Sequence, residues 1–279
     1  MPEYSKVGYL HSDFKMFHIM DDSLEEITFH YHDYHKILIL LSGNVSYCIE
    51  GRTYDLQPND VVLVSAGEAH KPIVYAGAPY ERIIIYISPE FLSRYGDAEN
   101  DLRLCFKEAK LEQSHVLRFP SFSNSRLSAI LKDLDASLHD TDYAHELHHK
   151  LLFLDFMIHL NRAALHKKDE FLETSDANDK VIQILNYLNE HLTEDLTIEH
   201  IASEFYLSRY YLMHTFKEQT GYTIGSYIST KRLLLAKERI SNGYPITTVC
   251  YECGFKNYST FSRAYKKCFG EAPRELRQK

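Results

Sequence analysis

Glycine and proline are scarce in this 279-residue chain, at 11 and 8 residues. So few breakers exclude collagenous repeats and leave no room for long flexible linkers. No apolar run approaches the roughly 18 residues that a bilayer crossing needs. The longest, Ile37–Leu41 and Ile83–Ile87, are short. Glu3, Lys6 and Asp13 interrupt the first residues, so no signal peptide and no membrane partner are expected. Cysteine is also sparse, and its odd count of five is no disulfide framework. It fits a reducing, cytoplasmic setting. The chain has no nucleophile elbow, no phosphate-binding glycine loop and no triad signature, so neither enzyme chemistry nor a cofactor is expected.

What is present is ordinary globular protein. Hydrophobic residues make up 44% and charged residues 25%. At roughly 150 residues per domain, the length suggests one large domain or two modest ones. The net charge of −8 is unevenly spread. Up to Ser175 there are 17 Lys and Arg against 27 Asp and Glu; from Ser208 onward there are 13 against 5. A basic C-terminal segment on an acidic chain points to a local contact with a polyanion; by charge alone, a solvated basic surface is the alternative.

The texture changes along the chain. Up to about residue 90, short apolar runs such as His35–Leu41, Val45–Ile49, Val61–Val64 and Ile83–Ile87 alternate with turns at Ser42-Gly43-Asn44, Glu50-Gly51 and Pro58-Asn59-Asp60. This pattern predicts an antiparallel barrel or sandwich. After Pro89, Leu127, Leu131, Leu134 and Leu138 recur at alternating spacings of four and three, as do Leu147, Leu151, Leu154 and Ile158. Each stripe predicts one apolar face of a helix, and together they suggest a helical hairpin. Either stripe could pack on the strands or form a dimer seam. The polar stretch from Lys167 to Asn178 reads as a linker.

The C-terminal part holds a degenerate repeat. A shift of 48 pairs Leu185 with Leu233, Ile198 with Ile246, Ile201 with Val249 and Ala202 with Cys250. A shift of 49 then pairs Leu212 with Phe261, Phe216 with Tyr265, Lys217 with Lys266 and Gly221 with Gly270. Thr197, Ser208 and Asn257 are suited to N-caps, Pro245 to a helix start, and Gly221 and Gly270 to left-handed C-caps. Each unit therefore predicts a short helix, a tight turn and a second helix, which is a helix-turn-helix. On the second helices, Arg209, Tyr210, Met213, His214 and Lys217 are expected outward in the first unit. Tyr258, Ser259, Ser262, Arg263 and Lys266 are expected outward in the second. Donors and stacking groups in this arrangement suit base edges and phosphates of double-stranded DNA.

Thr197–Gly221 and Pro245–Arg277 resemble the DNA-binding domain of the AraC (AraC/XylS) family. The strongest match is Gly254-Phe255-x-Asn257-x3-Phe261-Ser262-Arg263-x-Tyr265-Lys266-Lys267-x2-Gly270-x2-Pro273-x3-Arg277. Asn257 stands where the family usually has Asp, Tyr265 where it has Phe, and Cys250 where it has Ala. The resemblance covers about the last hundred residues. It implies two helix-turn-helix units joined by a linker helix at about Ile224–Ser241, with both recognition helices entering successive major grooves. It also gives His214 and Arg263 matching base-contact positions.

The N-terminal part resembles the cupin-like sensor domains that often precede such readers. Metal-binding cupins carry His-x-His-x3-Glu and a later His; here His30, His32 and His70 are present, but Lys36 stands at the glutamate position. A cation there opposes metal binding, so no metal is expected. His30, His32, Lys36, Leu38 and Leu40 share one parity, and with His70, Tyr47 and Tyr86 they are the expected lining of an effector pocket for a polar or anionic small molecule. Sugars are common effectors among relatives of this architecture, an argument by analogy. Cys250-x-x-Cys253 falls on two core positions and reads as core thiols, and His145, His148 and His149 read as a solvated helix face.

The sequence therefore predicts an α+β multidomain protein. Residues 1–166 form a cupin-like sensing and dimerisation domain, 167–177 a linker, and 178–279 an all-α DNA-binding domain with two helix-turn-helix units. The expected function is a cytoplasmic, homodimeric, effector-controlled transcription regulator, an activator that also meets RNA polymerase. The alternative is a metal-dependent cupin enzyme fused to a DNA-binding module.

Overall fold

The computed structural model describes residues 10, 12–22, 27–97, 99–119, 121–166 and 171–276. Lys167–Glu170 of the expected linker, and Arg277 of the C-terminal motif, lie outside the described residues. The chain divides into two compact units. One holds residues 34–176 together with the first strand; the other holds Ala177 onward together with Thr28–Asp33.

Seven strands fill the first part of the sensor unit: β1 Phe14–Asp21, β2 His35–Ser42, β3 Asn44–Ile49, β4 Arg52–Asp55, β5 Val61–Val64, β6 His70–Tyr75 and β7 Tyr80–Ile87. A short β8, Val116–Leu117, returns to pair with β5. One sheet has the order β1-β7-β2-β5-β8, and the second contains β6-β3-β4 in that order. Among the described residues the ladders form two facing sheets rather than one closed barrel. Gly43 explains the tight passage from β2 to β3. Its φ is +119°, and an added Cβ would lie 3.1 Å from the carbonyl oxygen of Pro79.

β2 reads as an unbroken apolar run because both its faces are covered. Leu38 and Leu40 join Val45, Tyr47, Ile49, Val62 and Val64 between the sheets. Ile37 and Ile39 face the other way, onto a core shared with helices α1 Pro89–Tyr95, α2 Leu104–Leu111, α3 Arg126–Ala136 and α4 His145–His166. Burying such side chains contributes about 1.5–3 kcal/mol each, an upper range set by the extended-chain reference.

The expected hairpin is α3 and α4, and its two leucine stripes have different fates. Leu127, Leu131 and Leu134 on α3 are buried. On α4 the buried face is Phe153, Phe156, Met157, Leu160 and Ala164, whereas Leu147, Leu151 and Ile158 are exposed. Helix α4 thus carries two apolar faces, and the larger aromatic one takes the core. Asn161 on that face accepts from the Cys105 backbone N–H at 2.8 Å, capping α2, whose own N-cap side chain makes no such bond.

The second unit is helical: α5 Asp179–Glu190, α6 Ile198–Glu204, α7 Arg209–Thr220, α8 Ile224–Ser241, α9 Ile246–Glu252, α10 Tyr258–Phe269 and α11 Pro273–Leu276. Its two cores repeat one another. Val181, Leu185, Ile201, Leu212 and Phe216 form the first, and Leu233, Val249, Cys250, Phe261 and Tyr265 form the second. Cys250 and Cys253 are both fully buried, and all five cysteines are free.

Candidate nucleic-acid interface and effector pocket

The two presumptive readers, α7 and α10, start and stop in the same way. Ser208 accepts from the Tyr211 N–H, and Asn257 accepts from the N–H groups of Ser259 and Thr260. Gly221 and Gly270 close the helices in the left-handed region, both at φ +78°. Thr197 caps α6 by accepting from His200, while Pro245 begins α9 without a side-chain cap. These local bonds place α7 after α6, and α10 after α9, as second helices of two helix-turn-helix units.

The outer faces differ in chemistry. On α7, Arg209, Tyr210, Met213, His214 and Lys217 are all exposed. The His214 ring stacks on Tyr210 at 5.8 Å, and Arg209 pairs with Glu199 at 2.9 Å. Tyr206, 94% exposed, and Tyr211, 50% exposed, extend this aromatic surface and escape the heptad reading. Tyr206 sits in the turn with φ +54°, where bulky residues are rare. On α10, Ser259, Arg263 and Lys266 are exposed, as is Lys267. Arg263 donates weakly to the Ser259 carbonyl at 3.3 Å, leaving its guanidinium presented to solvent. Tyr258 and Ser262 are only partly exposed, and the Tyr258 ring packs near Phe261 at 6.1 Å. One reader is therefore aromatic, the other cationic.

Helix α8 carries a residue that sequence patterns do not reveal. Arg232 donates to the carbonyls of Leu192, Glu194 and Gly254, the last at 2.9 Å. It ties the turn after α5 to the turn between α9 and α10. Burial lowers its pKa, with no change in charge at neutral pH.

In the sensor unit, Lys36 lies on β2 with its side chain between the sheets, 5% exposed. Its Nζ donates to the Tyr47 hydroxyl at 2.8 Å, across from the second sheet. Burial, reinforced by Arg82, pulls its pKa down to about 7. Tyr86 is opposite Lys36 in the β2–β7 register, and its ring meets that of Tyr34 at 4.6 Å. His70 opens β6; its Nδ1 is 2.9 Å from the Glu68 carbonyl, and its ring stacks on Tyr47 at 6.0 Å. Lys36, Tyr47, Tyr86 and His70 thus come together from four strands.

The parity argument does not extend to His30 and His32. A bend at Asp33–Tyr34 interrupts the chain, and β2 begins only at His35. Thr28–Asp33 groups with the C-terminal helices instead. Tyr222 donates to the Phe29 carbonyl at 2.7 Å, the Tyr31 hydroxyl meets Cys268 Sγ at 3.3 Å, and Asp33 pairs with Lys237 at 2.8 Å. The rings of His30 and His32 meet edge to face at 5.1 Å. His35 packs on Phe106, on the helix-covered face of β2.

Comparison with known proteins matches this division. Residues 19–152 match the model of the AraC-like ligand binding domain, and residues 201–279 match that of a helix-turn-helix domain. The chain combines an AraC-like ligand-binding domain with an AraC-type helix-turn-helix domain. It is 26% identical over 257 residues to the HTH-type transcriptional activator RhaS of Citrobacter koseri, covering 89% of this chain and 87% of that protein. To RhaS of Klebsiella pneumoniae it is 24% identical, with the same coverage. Among solved structures, ToxT from Vibrio cholerae aligns over 95% of this chain and 97% of its own, at 16% identity and a TM-score of 0.40. A probable AraC family transcriptional regulator from Rhodopseudomonas palustris aligns over 36% of this chain and 96% of its own, at 28% identity and a TM-score of 0.34. Among the described residues, no helix is long and apolar enough to cross a membrane.

Proposed function

We propose that the chain is an effector-controlled activator of transcription that reads DNA with α7 and α10. The observation that carries this reading is the pair of identically capped helices, which expose Arg209 and Lys217 on one side and Arg263 and Lys266 on the other. Residues of this kind bind phosphates and base edges. Because the two faces differ, one subunit should read an asymmetric site. The effector, a sugar or related metabolite, belongs between the sheets, next to Lys36, Tyr47, Tyr86 and His70. Activation further implies contact with RNA polymerase.

The chain acts as a homodimer in this reading, with the exposed stripe Leu147, Leu151 and Ile158 on α4 as the seam. Leu165, 45% exposed, continues that stripe by one heptad. A ligand can shift the protein between two arrangements only by its differential affinity for them, typically about 1–3 kcal/mol. Mapping genomic binding sites and then measuring binding to one of them with and without products of the neighbouring genes tests the reading. Sequence-specific binding that responds to one such compound supports it. Binding that never distinguishes those sites from random DNA contradicts it.

A further inference from the structure

The interior between the two sheets contains one cation whose environment is incomplete. Arg82 pairs with Asp21 at 2.5 Å, Arg118 with Asp60 at 2.7 Å, and Lys237 with Asp33 at 2.8 Å. Arg232 is held by three carbonyls. Lys36 is as buried as any of them, yet its hydrogen-bond partner is the neutral Tyr47 hydroxyl alone, and no carboxylate pairs with it among the described residues. An ammonium has three N–H donors, so two remain uncommitted. A charge taken out of water without a counter-ion is costly, and the cost falls when an opposite charge arrives with good geometry.

The neighbours do not supply that charge. Val64 and Tyr86 are the register partners of Lys36 on its own sheet, and Leu38 follows it on the same face. Asp21 is committed to Arg82. The groups facing Lys36 from the surrounding strands are Tyr47 on β3, His70 on β6, and Tyr80, Arg82 and Tyr86 on β7. Burial pushes all three tyrosines up, which keeps them neutral donors. The result is a positively charged, tyrosine-lined interior with hydrogen-bond donors in excess of acceptors.

We infer that the effector carries a carboxylate, which sits on Lys36 and accepts a second hydrogen bond from Tyr47. The class is small organic acids, sugar acids among them, as opposed to neutral sugars. This rests on the reading that the space between the sheets is the effector site. It gives the site a signature: the anion selects the protonated form of Lys36. That group titrates near pH 7 in the free protein, so binding takes up a proton above that pH. Affinity should then fall about tenfold per pH unit above 7, until the raised pKa of the complex is passed.

The test uses the full chain and matched probes, galacturonate against galactose and benzoate against benzamide. Melting temperature and tyrosine fluorescence are read at pH 6.5 and 8.5. The acids should stabilise the protein and their neutral partners should not, with acid affinity lower by at least tenfold at the higher pH. Lys36→Met, close in volume and free of the uncompensated charge, should fold and lose acid binding together with its pH dependence. Should it fail to fold by circular dichroism, Tyr47→Phe serves instead, and it should weaken the acids selectively. Equal binding of acids and neutral partners overturns the inference while leaving the effector site in place. Acid binding retained in Lys36→Met, or in Tyr47→Phe where that stands in, overturns it too. Binding by neither class of probe overturns it together with the reading on which it rests.

Discussion

The guanidinium of Arg232 closes on the carbonyl of Gly254 at 2.9 Å, while a Cβ on Gly254 would lie 2.8 Å from that guanidinium. Glycine is required there twice over, because its φ of +82° is also left-handed. Since the same side chain holds the carbonyls of Leu192 and Glu194, it fixes one helix-turn-helix unit against the next. Arg232→Met should cost about 2 kcal/mol or more, since each stranded polar group costs about 1–3 kcal/mol. Gly254→Ala should cost about 1–2 kcal/mol from backbone strain alone. Urea denaturation of both variants checks this; unchanged midpoints would show that the tie carries no energy.

Base readout and phosphate contact should separate on α10. Arg263→Ala should cost about 1–3 kcal/mol and relax specificity at one or two base pairs. Lys266→Ala should weaken all sequences alike and reduce the salt slope by about one. Binding isotherms on target and random duplexes over a range of salt distinguish the two. Identical affinities for wild type and Arg263→Ala on both duplexes would remove α10 as a reader.

Substitutions in the two leucine stripes should now have opposite outcomes. Leu131 is 4% exposed and Leu151 is 56% exposed. Leu131→Asp should unfold the sensor unit, since a charge cannot be accommodated in that core. Leu151→Asp should leave circular dichroism intact and shift sedimentation from dimer to monomer. A folded dimer from Leu151→Asp would exclude the α4 stripe as the seam.

Two histidines give the sensor unit opposing pH dependences. Burial lowers the pKa of His35 to about 4, so its contribution is present above the unfolded value of 6.5 and is lost as pH falls toward 4. His18 lies 2.9 Å from Glu81 and 3.1 Å from Asp135; the bond to Glu81 is the main cause of its raised pKa. Its contribution is complete below 6.5 and is lost as pH rises through the raised value. His35→Leu should flatten stability between pH 6.5 and 4, and His18→Gln should flatten it above 6.5. Melting curves that keep the wild-type slope in either variant would refute that assignment.

The helix-turn-helix units are legible in sequence because their signals are local. Ser208 and Asn257 bind N–H groups two or three residues on, and Gly221 and Gly270 act at the next helix end. The strands are legible from turns and apolar runs, although β1 and β8 lack the bracketing turns and go unseen. Other features depend on distant partners. Parity assumes an unbroken strand, and the bend at Asp33–Tyr34 defeats it for His30 and His32. On α4, periodicity marks two apolar faces without ranking them; packing against Phe14, whose ring stacks on Phe153 at 4.1 Å, decides between them. Arg232 looks like any solvated cation, because its acceptors are backbone carbonyls that no residue pattern records.

The most direct test of the central claim is a hydroxyl-radical footprint of the isolated C-terminal unit, residues 178–279, on one binding site. The account predicts two protected segments about one helical turn apart, roughly 34 Å centre to centre, with Arg263→Ala altering protection in only one of them. Protection of a single groove segment by the wild-type unit would contradict it.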